Sequence, residues 1–140
     1  MKVRIDAEIF TAQVRGGISK HYSILIKYLN LKKDIKVNIN SSFHCNFHLK
    51  EEKIGFFLPL KYRKFLKKYL FLKRLIPSKE DIVHNTYYFN NVKKSLVPMV
   101  TTAYDMIPEN GLIKNMSPTI IESKFKAFKF SDSILCISNY

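Results

Sequence analysis

Tryptophan is absent from the 140 residues, and glycine and proline are scarce, at four and five copies. So little Gly and Pro excludes collagen-like and low-complexity chains. Cysteine occurs twice, at Cys45 and Cys136. Two distant thiols cannot staple a small secreted fold, so no disulfide framework is expected and a reducing compartment suits the chain. Acidic residues are the next shortage: 11 Asp and Glu stand against 24 Lys and Arg, a formal charge of +13. Such a surface attracts polyanions or anionic membrane, although charge alone does not separate nucleic acid, lipid and nucleotide-sugar. Long apolar runs are missing as well. None approaches the roughly 18 residues of a membrane-crossing helix. Arg4, Asp6 and Glu8 also interrupt what would be the apolar core of a signal peptide. The expectation is a cytoplasmic protein, with peripheral attachment to the inner membrane face left open.

What the chain does contain is enough for one domain. Hydrophobic residues make up 46% of it and charged residues 25%, a globular balance that can bury one core without metal or disulfide. Val3, Ile5, Ala7 and Ile9 alternate with Lys2, Arg4, Asp6 and Glu8, the period-two pattern of a strand with unlike faces. Residues 10–14 read as a loop. After Gly16-Gly17, the residues Ile18, Tyr22, Leu25, Ile26 and Leu29 recur at spacings of three and four, so an amphipathic helix begins near Gly17. Residues 35–39 alternate again. Two short strands separated by a helix predict a parallel βαβ unit and an α/β fold. In such a unit, amides at the start of the helix can face an anion. Two readings of the glycine pair stay open, a ligand loop and a plain turn that needs φ > 0. The dinucleotide fingerprint G-x-G-x-x-G is not present.

Further along, His44, Cys45 and His48 lie close together, but no second cluster supplies a fourth ligand and no metal site is expected. Residues 61–74 carry seven basic side chains and no acidic one. On a helical wheel, Tyr62, Phe65, Leu66, Tyr69 and Leu72 form an apolar stripe. Lys61, Arg63, Lys64, Lys67, Lys68 and Arg74 gather opposite it, with Phe71 among them and Lys73 intruding on the stripe. This helix can rest on an anionic membrane or simply dock its stripe on the sheet. Nucleic acid is the weaker partner, because no motif of that class is present. Ile82-Val83 reads as a short buried strand with His84 at its carboxyl end, where open parallel sheets bind ligands. Residues 85–89, Tyr87 included, form a loop able to line a cleft. Residues 98–104 make another strand. The loop that leaves it carries Asp105, which either accepts hydrogen bonds from a hydroxylated ligand or fixes the loop. Residues 118–130 form a helix capped by Ser117, with Pro118 in its first turn and apolar positions at Ile121, Phe125, Ala127 and Phe128. Residues 133–138 read as a strand covered on both faces. A domain that ends on a central strand reads as cut short.

Taken in order, Ile5-Asp6-Ala7, Arg15-Gly16-Gly17-Ile18-Ser19, Asp81-Ile82-Val83-His84, Thr102-Ala103-Tyr104-Asp105-Met106-Ile107-Pro108-Glu109 and Ser131-Asp132-Ser133-Ile134-Leu135-Cys136-Ile137-Ser138 resemble successive landmarks of the N-terminal domain of family 4 glycosyltransferases of the GT-B fold. The resemblance spans essentially the whole chain and rests on order and spacing, not on any single motif. It implies a Rossmann-like three-layer domain with a mainly parallel sheet, one of two such domains facing across a cleft. The implied reaction moves a sugar from a nucleotide-sugar to a glycan or lipid-linked acceptor with retention of configuration, as in cell-surface polysaccharide synthesis. No metal and no cofactor beyond the donor substrate is implied. Residues 1–140 would be one acceptor-side domain, with Arg15, Gly16 and Gly17 approaching the donor phosphates. His84 and Asp105 would edge the cleft as candidate catalytic residues, and Tyr87 and Tyr104 would contact substrate. The family often has histidine where Tyr104 stands. A phenol of ordinary pKa, roughly 10, is a poor proton shuttle at neutral pH.

The family's donor-binding domain carries two glutamates eight positions apart, a spacing that none of the six glutamates here provides. The expectation is therefore an acceptor-side half, a truncated product or one part of a split enzyme, with its donor domain elsewhere. Gly16-Gly17 would face a phosphate without binding nucleotide tightly on its own. The alternative from another class is a non-catalytic basic module on anionic membrane or another polyanion.

Overall fold

A computed structural model describes residues 1–73, 79–88, 94–104 and 118–137. The first strand, β1 (Lys2–Ile5), is shorter than its alternation predicts, because the pattern through Ile9 continues into a helix, α1 (Glu8–Ala12). Side chains cause the break. The amides of Ala7, Glu8 and Ile9 are taken in turn by Asn40 Oδ1, Asp6 Oδ1 and Thr86 Oγ1, at 2.7, 2.7 and 3.1 Å. With these donors satisfied outside any ladder, the chain has no reason to stay extended. Residues 10–12 are therefore helical rather than loop.

The next helix, α2 (Gly17–Asn30), starts where the periodicity places it and buries Tyr22 and Ile26. It leads to β2 (Lys36–Ile39) and then to a small excursion. The excursion comprises β3 (Phe43–His44), α3 (Phe47–Glu51) and β4 (Phe56–Phe57), with β3 and β4 paired as a separate two-stranded sheet. A 3-10 turn (Leu60–Tyr62) opens α4 (Arg63–Lys73), and β5 (Ile82–Asn85), β6 (Met99–Ala103), α5 (Pro118–Phe130) and β7 (Ser133–Cys136) complete the described elements.

The main sheet runs β2-β1-β5-β6-β7, with every neighbouring pair parallel. Counted by their order in the chain, its strands run second, first, third, fourth, fifth, a doubly wound arrangement. Successive residues of a strand face opposite sides, so Thr101 and Thr102 mark the two faces of β6. Tyr22 of α2 bonds Thr102, whereas Ser131, just after α5, bonds Thr101. Helices therefore flank both faces, and the fold is an α/β, Rossmann-like three-layer domain. Its core holds Val3 and Ile5 of β1, Ile9 and Phe10 of α1, Tyr22 and Ile26 of α2, Leu49 of α3 and Leu70 of α4. Each such burial is worth about 1.5–3 kcal/mol before entropy is counted.

Two aspartates fix the amino edge of the sheet. Asp81 Oδ2 accepts from Lys2 N at 2.7 Å, and Asp132 Oδ2 accepts from Met99 N at 2.8 Å. Each aspartate returns its own amide to the same residue's carbonyl, at 2.9 and 2.8 Å. The amino ends of β1 and β6 are thus closed by their neighbours, which leaves the carboxyl edge to carry a site.

Three packing expectations change. Among the described side chains of α4 the buried ones are Leu66 and Leu70, with Tyr69 partly covered, while Phe65, Leu72 and, in the preceding turn, Tyr62 are exposed. The inward face is centred almost one position away from the wheel's stripe, because α4 packs on α1 and β3 as well as on the core. On α5, Ala127, Ser123 and Lys124 turn inward, and Phe125 is exposed. Finally, β7 is an edge strand exposed along its length, not a central strand covered on both faces. Ser117 and Ser138 lie outside the described residues.

Candidate functional site

Parallel strands deliver all their carboxyl ends to one edge, and a doubly wound sheet opens a crevice there where the connections diverge. In this chain that point lies between β1 and β5, with α2 starting beside it. The loop into α2 is held by side chains from elsewhere. Asn46 caps α3, accepting from His48 N and Leu49 N at 2.9 and 3.1 Å. Its Nδ2 donates to Gln13 O at 2.7 Å, and Phe47 N donates to Val14 O at 2.9 Å. Gln13 in turn sends its side-chain Oε1 to Ser19 N at 3.1 Å, so one of the first amides of α2 already has an acceptor. The amides of Gly17 and Ile18 have none among the described residues.

The two glycines serve different ends. Gly16 is extended, at φ 179°, a conformation open to any residue. A Cβ there would stand 2.5 Å from Gln13 Oε1, so a side chain at Gly16 would push aside the flexible end of Gln13 that accepts from Ser19 N. Gly17 is helical and a Cβ on it would meet nothing within 4 Å. Neither glycine has positive φ; among the described glycines only Gly55 does, at 70°. The turn reading based on φ > 0 is thereby corrected.

Behind this loop lies a buried cluster of rings and hydroxyls. Tyr22 Oη donates to Asn85 O at 3.0 Å, since a carbonyl only accepts, and stands 3.2 Å from both His84 Nε2 and Thr102 Oγ1. His84 Nε2 is 2.9 Å from Thr102 Oγ1. The Tyr22 ring meets His84 and Tyr104 edge-on, with centroids 5.3 and 6.1 Å away, and exposed His21 packs edge-on to Tyr104 at 6.2 Å. Burial, reinforced by His21, lowers the His84 pKa from 6.5 to about 4, so the ring is uncharged at neutral pH. Burial, and then Tyr22, raises the Tyr104 pKa, so its phenol stays protonated. The Tyr104 Oη is buried without a hydrogen bond of normal geometry, although Tyr22 and Thr102 lie near enough to act on it electrostatically.

Of the residues singled out in the sequence, Gly16, Gly17, His84 and Tyr104 border this edge. Tyr87 is half-buried against the core and stacks on Tyr88, with centroids 5.4 Å apart. Arg15 turns away to pair with Glu51 on α3 and overlies the Phe47 ring. Asp105 and Arg74 lie outside the described residues. Arg63 is half-buried, and its Nε donates to Thr11 O at 2.7 Å while Nη2 donates to Ala12 O, closing the carboxyl end of α1. Lys61, Lys64, Lys67 and Lys68 are exposed.

Sequence reasoning assigns no site role to Tyr22 or Thr102, and it takes Thr86 and Tyr88 only as part of the loop able to line a cleft. Tyr22 was counted only as part of an apolar stripe; the signal was its hydroxyl, the one polar tip among Ile18, Leu25, Ile26 and Leu29. Tyr88 fixes the strand end by donating to Thr102 O and accepting from Tyr104 N, at 3.3 and 3.2 Å. The His44 ring is occupied, with Nε2 on Ile54 O at 2.7 Å and Nδ1 accepting from Asn46 N at 3.3 Å, and burial lowers its pKa. No group of three or more His, Cys, Asp or Glu among the described residues could hold a metal. No helix among them is long and apolar enough to cross a membrane.

The chain was compared with protein-family models, with curated proteins and with solved structures, and no match was found in any of the three.

Proposed function

We propose that this chain is the acceptor-side domain of a retaining glycosyltransferase that moves a sugar from a nucleotide-sugar to a glycan or lipid-linked acceptor in cell-surface polysaccharide synthesis. It works in the cytoplasm, opposite a donor-binding domain on the same or another chain. The observation that carries this reading is Gly17. Its helical backbone and the open space at its Cβ position give it no structural reason to lack a side chain. It begins a 14-residue helix at the switch point of a parallel sheet, where close backbone approach favours a phosphate. The order and spacing of the landmark residues add the sugar-transfer chemistry to that phosphate site.

Each group then has a defined task. The amides of Gly17 and Ile18, aided by the helix dipole, donate to diphosphate oxygens. Tyr104 lines the site with a protonated phenol and does not act as a base. His84 contributes hydrogen bonding without positive charge, so it adds nothing to nucleotide affinity. With two free amides and no cation paired to them among the described residues, binding to this half alone is weak.

A titration of the isotope-labelled chain with uridine diphosphate, followed by amide NMR, tests the reading. Millimolar ligand is expected to shift the Gly17 and Ile18 amides, and Gly17→Ala is expected to abolish the response at unchanged melting temperature. No shift at these amides, or the same shift in Gly17→Ala, would refute a phosphate site here.

A further inference from the structure

The outer face of α4 has a composition that the core does not need. Among the described side chains of the helix Leu66 and Leu70 are the buried ones, and Arg63 is committed to the carbonyls of α1. Facing solvent are Lys61, Lys64, Lys67 and Lys68, beside Phe65 at 64% exposure, Leu72 at 53% and Leu60 at 49%. Placed at 100° per residue, the lysines take one flank of the outer face, and Phe65 and Leu72, seven positions apart, take the other. Lys61 and Lys68 fall along the seam between the flanks. The stretch from Leu60 to Lys73 contains no acidic residue, so nothing on the helix repels an anionic plane.

We propose that this face is a docking surface for an anionic lipid bilayer, with α4 lying in the interface, its lysines on headgroup phosphates and Phe65 and Leu72 inserted among the acyl chains. Charge complementarity selects an anionic occupant. The exposed leucines select a bilayer over nucleic acid: a base stacks on an aromatic ring but has no use for an aliphatic side chain, whereas hydrocarbon accepts both. The helix does not have to peel from the protein to bind, because its inner leucines stay packed while the outer face engages. This proposal does not rest on the transferase reading, and it would put any acceptor site of this chain beside lipid-linked material.

Co-sedimentation of the full chain with phosphatidylcholine vesicles, with and without phosphatidylglycerol, tests it. The chain should pellet with the anionic vesicles and much less with the neutral ones. Each lysine near the surface is worth about fivefold in partitioning. Lys64→Glu with Lys68→Glu should therefore lower binding by well over tenfold, and raised salt should weaken the wild type in parallel. Phe65→Ser with Leu72→Ser removes only exposed side chains, so circular dichroism should be unchanged while the salt-resistant part of the binding disappears. Equal pelleting on neutral vesicles would overturn the proposal, as would binding indifferent to the lysine pair. Binding that an RNA competitor removes, and that the Phe65 and Leu72 variant retains in full, would overturn it in favour of a polyanion surface.

Discussion

His84 lies in the buried stretch of β5, one residue before the strand's end, with its Nε2 between Tyr22 Oη and Thr102 Oγ1. Its pKa is lowered from 6.5 to about 4, chiefly by burial. Between those values the unfolded chain holds a proton at this position that the folded chain lacks, so stability rises with pH across that window and is lost as pH falls through it. From pH 7 to pH 5 the loss is about 2 kcal/mol from this residue. Unfolding free energies from urea titrations at the two pH values should differ by at least that amount in the wild type and by less in His84→Gln; equal dependence in both would remove His84 as the cause. His44, also lowered by burial, adds slope of the same sign and remains in the variant. At this scale the sequence placed His84 at the right edge because a strand end can be read from Ile82-Val83. The partners that neutralise it could not be read, since Tyr22 and Thr102 are 62 and 18 positions away.

Among the elements, α1 and α4 show how one arginine changes a surface. Wheel geometry groups Arg63 with the lysines, yet its angular position is within about 20° of buried Leu70, seven positions on. What turns it inward is a pair of carbonyls, Thr11 O and Ala12 O, left open at the end of a five-residue helix. Arg63→Ala should destabilise the chain by about 1.5–3 kcal/mol, the value of hydrogen bonds to a charged donor. Thermal unfolding followed by circular dichroism should show a melting temperature lower by several degrees, while Lys67→Ala, on the exposed face, leaves it nearly unchanged. The limits of α2 and α5 were readable from periodicity and from Pro118, because an amphipathic pattern of three to four turns is a strong signal. The limits of β1 were not. Its alternation continues past Ile5, and only the side chains of Asn40, Asp6 and Thr86 decide that the backbone turns.

For the whole molecule, the parallel sheet and its helix layers followed from alternating short strands and helices, and the strand order extends that reading. Burial of β7 did not follow. Its apolar run has the composition of a central strand, yet it lies at the edge with Ile134 at 44% and Leu135 at 50% exposure. Composition registers how apolar a strand is, not whether a neighbour covers it. An exposed apolar edge presents free backbone donors and acceptors to another chain. The purified protein is therefore expected to associate as concentration rises. Leu135→Lys should suppress that association in light scattering while changing stability by less than about 0.5 kcal/mol. Unchanged scattering would assign the association to another surface.

Five residues are too few for a helix to persist by itself, so α1 is helical because it is fastened at both ends: Ile9 N donates to Thr86 Oγ1 near its start, and Arg63 donates to its last carbonyls. Its amide protons are consequently protected only while both fastenings hold. Hydrogen exchange in α1 then becomes a coincidence detector, registering release of the β5 loop on one side or of α4 on the other. A short stretch of chain that touches neither a phosphate nor a lipid would thus report, in one rate, the state of the β5 loop and of α4.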